Sequence, residues 1–360
     1  MTELILLFVF LLTLTYLLEV RSHIIITLHK DGQSFQSKQV AFILSLISIA
    51  LFVGLREGYN DTYGYLYLFD LIDTSNYNEI NFDKNLGFNF FSFLFKKYIS
   101  TEGHLLLFSM AFLSYIFLFR LVFFRINIRP VLFIFFLFTT GYVLFSMGAV
   151  KQFAAMSIGF YAIQSLKESK LKFLVFLSVA ILFHVFAVVY LSVLFLNKKI
   201  WDYKVLLFGI VCAGVLFFND TYFSSIENIT NSLGLKYSQN NEILGEGMNI
   251  FRFLFLAITP VLIYFNLESL KKIKDPALIT YINFSAIGFF IFFISMFFNA
   301  NTFGRLGIYF GFVNILILPF IIQNYFQKSY MNKNIIYLIH VIFMGYELYT
   351  RGFDYSFYFL

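Results

Sequence analysis

The sequence predicts an all-α polytopic membrane protein, and three observations carry that expectation. The 360 residues are 60% hydrophobic and only 13% charged. Their mean hydropathy is +0.79. Apolar runs of about 17 residues or more recur from one end to the other, the length a helix needs to cross a bilayer core. A soluble domain of this length could not hide so much apolar surface. In lipid, each segment must satisfy its own backbone hydrogen bonds, and runs this long do so as helices rather than barrel strands.

The candidate spans are 3–20, 39–55, 103–119, 130–147, 153–166, 173–196, 205–218, 251–267, 277–298, 306–322 and 335–350. We expect about 10–12 transmembrane helices in a single integral-membrane domain covering 1–360. The first run lacks a basic leader and a small-residue cleavage site, so it reads as a retained span. Cys212 is the lone cysteine, which excludes a disulfide framework and a cysteine metal cluster within the chain. The 54 Phe and 24 Tyr suit lipid-facing surfaces and membrane interfaces. The net charge of +6 follows membrane topology and implies no nucleic-acid partner.

Basic residues orient the spans. Arg21, Lys30 and Lys38 follow the first span, Arg120, Arg125 and Arg129 the third, and Lys167, Lys170 and Lys172 the fifth. Lys271, Lys272 and Lys274 follow the eighth, and Lys328 and Lys333 the tenth. These loops are expected in the cytoplasm, with the N-terminus outside. The polar segments 56–102 and 219–250 then form outer-face loops. Run 173–196 is read as a hairpin of two short helices turning near His184, because Lys198, Lys199 and Lys204 then return to the cytoplasm; a single crossing would make 205–218 re-entrant or no span. Segment 87–100, "GFNFFSFLFKKYIS", reads as an interfacial helix.

Four cations break the pattern. Arg56 ends the second span, Lys151 opens the fifth, Arg252 the eighth and Arg305 the tenth. All four fall on the outer face, where few are expected. Any one alone reads as a snorkelling side chain. As a set, three of them at helix starts, they could grip a phosphate or pyrophosphate. Asp61, five residues after Arg56, could be a general base, an acceptor for a sugar hydroxyl, or the carboxylate that fixes Arg56; residue chemistry favours the last. Glu102 could cap the third span. His184 lies deep in an apolar run, either as a neutral structural residue or as a proton carrier. No HExxH, acidic pair or cysteine cluster suggests a metal, and no cofactor is implied.

Three stretches resemble a known family. "GLREGYNDTYGYLYLF" carries an Arg-x4-Asp-x3-Tyr element at Arg56, Asp61 and Tyr65. "GAVKQ" followed by a basic turn and "AILFH" aligns Lys151, Gln152, Ala180 and His184. "NTFGRLGIYF" carries Arg305 and Tyr309. In this order they resemble the EpsG-like branch of bacterial O-antigen and capsule polymerases, the Wzy proteins. Lys151 stands where that family usually has arginine, and lysine lacks the fork that binds phosphate bidentately.

The resemblance implies a GT-C-like fold and a membrane glycosyltransferase in the inner membrane, with its active site facing the periplasm or exterior. It implies transfer of a growing glycan from undecaprenyl pyrophosphate to an undecaprenyl-pyrophosphate-linked repeat unit. The lipid bilayer and a chain-length regulator are further partners it allows. Arg56, Tyr65, Lys151, Gln152, Arg252, Arg305 and Tyr309 would bind substrate, and Asp61 or His184 would orient or deprotonate the acceptor. The rivals are a lipid-linked glycan flippase, an O-antigen ligase or another polyprenyl-linked glycosyltransferase, and a structural membrane protein.

Overall fold

The computed structural model describes residues 1–27, 31–75, 85–126, 128–217, 247–298, 300–325, 330–350, 355–356 and 358. Positions 219–246 of the expected polar loop lie outside these, as do Asp220, Glu227, Glu242 and Glu246 within it and Lys30 and Lys328 elsewhere. Most of the described residues are helical, and none of them forms a β-strand. They divide into two units: residues 1–187 with 322–360, and residues 188–321.

In the first unit, α1 (Thr2–Thr27) and α2 (Asp31–Gly54) pack together, and α2 also lies on α5 (Gly103–Phe124). Between α2 and α5 come two shorter helices, α3 (Thr62–Asp70) and α4 (Leu86–Tyr98). Next are α6 (Pro130–Thr139), α7 (Tyr142–Gly148), α8 (Val150–Ser165) and α9 (Lys170–Phe183). α8 packs on α5 and α9, and every one of its residues is buried except half-buried Lys151. A helix apolar on all sides belongs in an interior, and α8 is the interior helix here. By contrast α1 exposes Leu6, Val9, Phe10 and Leu17, a face that suits lipid.

The second unit contains α10 (Val193–Leu196), α11 (Tyr203–Phe217), α12 (Ile250–Phe265), α13 (Leu267–Leu270), α14 (Pro276–Ile294), α15 (Ala300–Gly311) and most of α16 (Asn314–Tyr325). α14 is its centre, packed against α10, α11, α12 and α15. Asn283 of α14 fixes the turn after α10: its amide donates to Leu196 O at 2.7 Å and Lys199 O at 2.8 Å, and its oxygen accepts from Trp201 N at 2.8 Å. α17 (Tyr330–Thr350) returns to the first unit and packs on α6.

Among the described residues, Thr2–Arg21, Gly103–Phe124, Pro276–Ile294 and Phe303–Tyr325 are long and apolar enough to cross a membrane unaided. The pair Pro130–Thr139 and Tyr142–Gly148 is apolar and long enough only when taken together, as one broken span or a re-entrant loop, and is bent by 61° where Gly141 takes φ +77°. This is an all-α polytopic membrane protein. Of the other expected spans, 39–55 and 251–267 give shorter apolar helices, Gln39–Gly54 and Ile250–Phe265. Run 173–196 breaks at His184, the residue where the hairpin was expected to turn.

Segment 87–100 does form a helix, α4, with Phe88, Ser92, Phe93 and Phe95 buried. Lys96 Nζ donates to Phe69 O at 3.0 Å and Asp70 O at 2.7 Å, closing the C-terminal end of α3. Glu102 holds the position before α5 but makes no capping bond. Its carboxylate instead accepts from the Tyr358 hydroxyl at 3.2 Å, so the expected cap is absent.

Candidate functional site

α2 stops at Gly54, and two residues later Arg56 turns back into the protein and is fully buried. Its Nε donates to Thr62 Oγ1 at 2.8 Å, its Nη2 to Met147 O at 2.5 Å, and its Nη1 to Val53 O. Thr62 Oγ1 in turn donates to Tyr59 O at 2.6 Å. Val53 and Met147 lie in the last turns of α2 and α7, whose carbonyls have no partner within their own helix. Arg56 therefore closes two helix C-termini at once, where a cation is favoured. Burial pulls its guanidinium down to about 10, with the phenols of Tyr65, Tyr355, Tyr115 and Tyr59 opposing, so it stays charged at neutral pH.

None of these partners is a carboxylate, so Asp61 is not the group that fixes Arg56. Nor can a buried Arg56 touch a ligand without leaving its partners. The cavity beside it, lined by Arg56, Ser114, Tyr115 and Ser146 among others, measures about 10 Å³, enough for one water and not for a phosphate.

The turn that follows is held against the start of α8. Asn60 takes the left-handed conformation at φ +50°, which asparagine tolerates better than most residues. Its amide lies so close to Gly148 that a Cβ there would sit 2.5 Å from Asn60 Nδ2. Half-buried Tyr65 lies near the first backbone N–H groups of α8, those of Val150 and Lys151, which favour its ionised form. Burial foremost, helped by Asp61, still pushes the Tyr65 phenol up to about 12, so it remains protonated.

Lys151, before the apolar run of α8, holds its Nζ 5.4 Å from the Tyr65 ring centroid and 4.8 Å from that of Phe88. The two rings pack edge-on at 5.8 Å. Burial lowers the Lys151 ammonium, and the Asp61 carboxylate opposes that shift. Asp61 itself is exposed, at the position before α3, and makes no capping bond. An exposed carboxylate thus shares one electrostatic neighbourhood with a half-buried cation and a protonated phenol. Gln152, next along α8, is buried.

α4 links this group to the end of α9. A Cβ on Gly87 would meet Leu182 backbone carbon at 2.9 Å, Phe88 lies under Lys151, and the Phe91 ring is 6.5 Å from that of Phe183. His184 comes next, extended at φ −157° and ψ 121°, half-buried, with its N–H on Ala180 O at 3.0 Å and its ring tilted against Phe186 at 5.5 Å.

In the second unit, Gly247 lies hard against Met296 O, and Met248 N donates to Ser295 O at 2.7 Å. Asn249 caps α12, accepting from Phe251 N at 2.8 Å, and Arg252 follows, half-buried. A Cβ on Gly304 would meet the Met248 methyl at 3.7 Å, so the starts of α12 and α15 adjoin. Arg305, exposed, is the next residue of α15. Tyr309 is fully buried: its carbonyl accepts from Tyr190 at 3.2 Å and the two rings lie 5.7 Å apart. It is a packing residue in this structure.

Phe88, Asn60 and Gly148 were not singled out by sequence. Phe88 is one phenylalanine among many, and only the glycine before "AVKQ" hinted at a close approach. Among the described residues no group of three or more His, Cys, Asp or Glu could hold a metal ion.

Fold and site together define a helical membrane protein with a charged, aromatic-lined group at the meeting of α3, α4 and α8. A sequence model described as the EpsG family matches residues 39–359, and the chain belongs to that family. No curated protein and no solved structure matches it.

Proposed function

We propose that the chain is a polysaccharide polymerase, a membrane glycosyltransferase that acts on undecaprenyl-pyrophosphate-linked glycans at the outer face of the cytoplasmic membrane. The observation that carries this reading is the exposed Asp61 carboxylate beside half-buried Lys151, in a chain of the EpsG family.

In the proposed reaction a hydroxyl of the acceptor repeat unit attacks the anomeric carbon of the donor glycan. The bond from that carbon to the pyrophosphate oxygen breaks, and undecaprenyl pyrophosphate leaves with the electron pair. Asp61 takes the hydroxyl proton, or His184 does. Cations stabilise the charge that gathers on the leaving group. Both substrates carry a pyrophosphate, and the chain has accessible cations in each unit: Lys151 in the first, Arg252 and Arg305 in the second. Arg56 is assigned a different part, that of fixing the turn which carries Asp61. Tyr65 lends a ring face to Lys151.

The test is the lipid-linked glycan pool of a strain lacking the native polymerase and complemented with this chain or with Arg305→Glu. The reading predicts full-length polymer with the parent chain and single repeat units, accumulated outside, with the variant. Single units accumulated inside the membrane would instead indicate a flippase, and full-length polymer left unattached would indicate a ligase.

A further inference from the structure

Residues Tyr355, Ser356 and Tyr358 lie along the end of α2, on either side of Arg56. Glu57 N donates to Ser356 O at 2.9 Å, and Tyr358 N donates to Leu55 O at 3.0 Å. These two backbone bonds bracket Arg56 in sequence, one on the residue before it and one on the residue after. Side chains reinforce them. The Tyr355 hydroxyl donates to Phe52 O at 2.7 Å, and its ring lies flat on Phe52 at 4.2 Å with 3° between the planes. Ser356 Oγ donates to Glu57 Oε2 at 2.7 Å. Tyr358 stacks on His104 at 3.7 Å while its hydroxyl reaches Glu102.

An arginine with three internal acceptors must enter the core at one backbone geometry, because its neighbours' φ and ψ set where the guanidinium goes. The local bonds of the turn, Arg56 to Val53 O and Thr62 Oγ1 and Thr62 to Tyr59 O, do not engage Leu55 O or Glu57 N. The turn has no capping side chain and contains Gly58 and a left-handed Asn60. A strand-like partner on residues 55 and 57 supplies what the turn lacks.

We propose that Tyr355, Ser356 and Tyr358 form a positioning strap: they hold the Arg56 turn in its buried conformation and thereby keep Asp61 and Tyr65 in register with α8. The bonds and ring contacts just described go to Phe52, Leu55, Glu57, Glu102 and His104, which are not the groups assigned to the reaction. Its effect on glycan synthesis rests on the polymerase reading; its hold on the turn does not.

The test uses the full chain with Cys212→Ser and Val53→Cys, so that the one thiol lies at a buried position beside Arg56 and the carbonyl that Arg56 bonds is kept. Tyr358→Pro removes the N–H that donates to Leu55, whereas Tyr358→Phe keeps that N–H and the ring. A water-soluble maleimide is expected to label the thiol about tenfold faster or more in Tyr358→Pro, and at the parent rate in Tyr358→Phe. Without Val53→Cys, Tyr358→Pro is expected to shorten the glycan to single repeats and Tyr358→Phe to leave its length unchanged. If Tyr358→Pro fails to accumulate, Tyr355→Leu, which loses the bond to Phe52 O, is read in the same way. Unchanged labelling in a membrane-inserted variant overturns the strap. Faster labelling with full-length glycan overturns its positioning role. Faster labelling in a chain that makes no polymer even as the parent upholds the strap and contradicts the polymerase reading.

Discussion

Arg56 Nη2 donates to the carbonyl of Met147 at 2.5 Å, across 91 residues of sequence. That bond joins the end of α2 to the end of α7, and so ties the "REGYNDTY" turn to the "GAVKQ" entry of α8. The guanidinium serves as internal scaffold. Arg56→Met leaves two carbonyls and a hydroxyl without their donor, and is expected to destabilise the protein by about 3 kcal/mol or more. Arg56→Lys, which keeps the charge without the fork, is expected to lose less. Thermal unfolding of the purified proteins in detergent checks the order.

Gly148 admits Asn60 because it has no Cβ. Gly148→Ala is expected to push the Asn60 turn outward, at about 1–3 kcal/mol. Asn60→Gly removes the clashing amide and tolerates the positive φ. The pair Gly148→Ala with Asn60→Gly should therefore be more stable than Gly148→Ala alone, and a double-mutant cycle on unfolding midpoints measures that coupling.

The Tyr65 hydroxyl lies near the first N–H groups of α8. Tyr65→Phe keeps the ring beside Lys151 and is expected to lose less than about 1 kcal/mol. The sign of the pH dependence follows from the raised phenol. Below the unfolded value near 10 the contribution is complete, and it is lost as pH rises through about 12. Stability measured across the neutral range should show no Tyr65 component, and an alkaline loss should be smaller in Tyr65→Phe.

Lys151 sits over two rings, which hold a cation of either kind. Lys151→Arg is expected to retain activity, and Lys151→Gln to lose about 100-fold in glycan transfer. Phe88→Leu removes one ring and is expected to weaken the site by about 1 kcal/mol. Initial rates at several substrate concentrations distinguish a binding loss from a loss of turnover.

The helical membrane architecture was legible because it rests on a property summed over many residues, namely apolar run length. The break of 173–196 at His184 was legible too, from the lysines beyond it. Arg56 and Tyr309 were expected to face a ligand and are instead buried. A charge after a helix end, or a phenol within an apolar helix, carries no mark of which way it points. Asp61 was expected to pair with Arg56 because carboxylates are the usual partners of buried cations. The actual partners are two helix-end carbonyls and a hydroxyl, and carbonyls are identical at every residue, so sequence could not single out Val53 and Met147. The strap of Tyr355, Ser356 and Tyr358 was illegible for the same reason, since its hold on the turn is largely backbone pairing.

The central claim is that Asp61 acts on substrate and has no part in holding Arg56. The direct measurement compares Asp61→Asn with the parent chain in a strain lacking the native polymerase, reading membrane abundance, unfolding midpoint and lipid-linked glycan together. The account predicts unchanged abundance and midpoint, with transfer reduced about 100-fold or more and single repeat units accumulating outside. Full-length glycan from a normally abundant Asp61→Asn protein would contradict it.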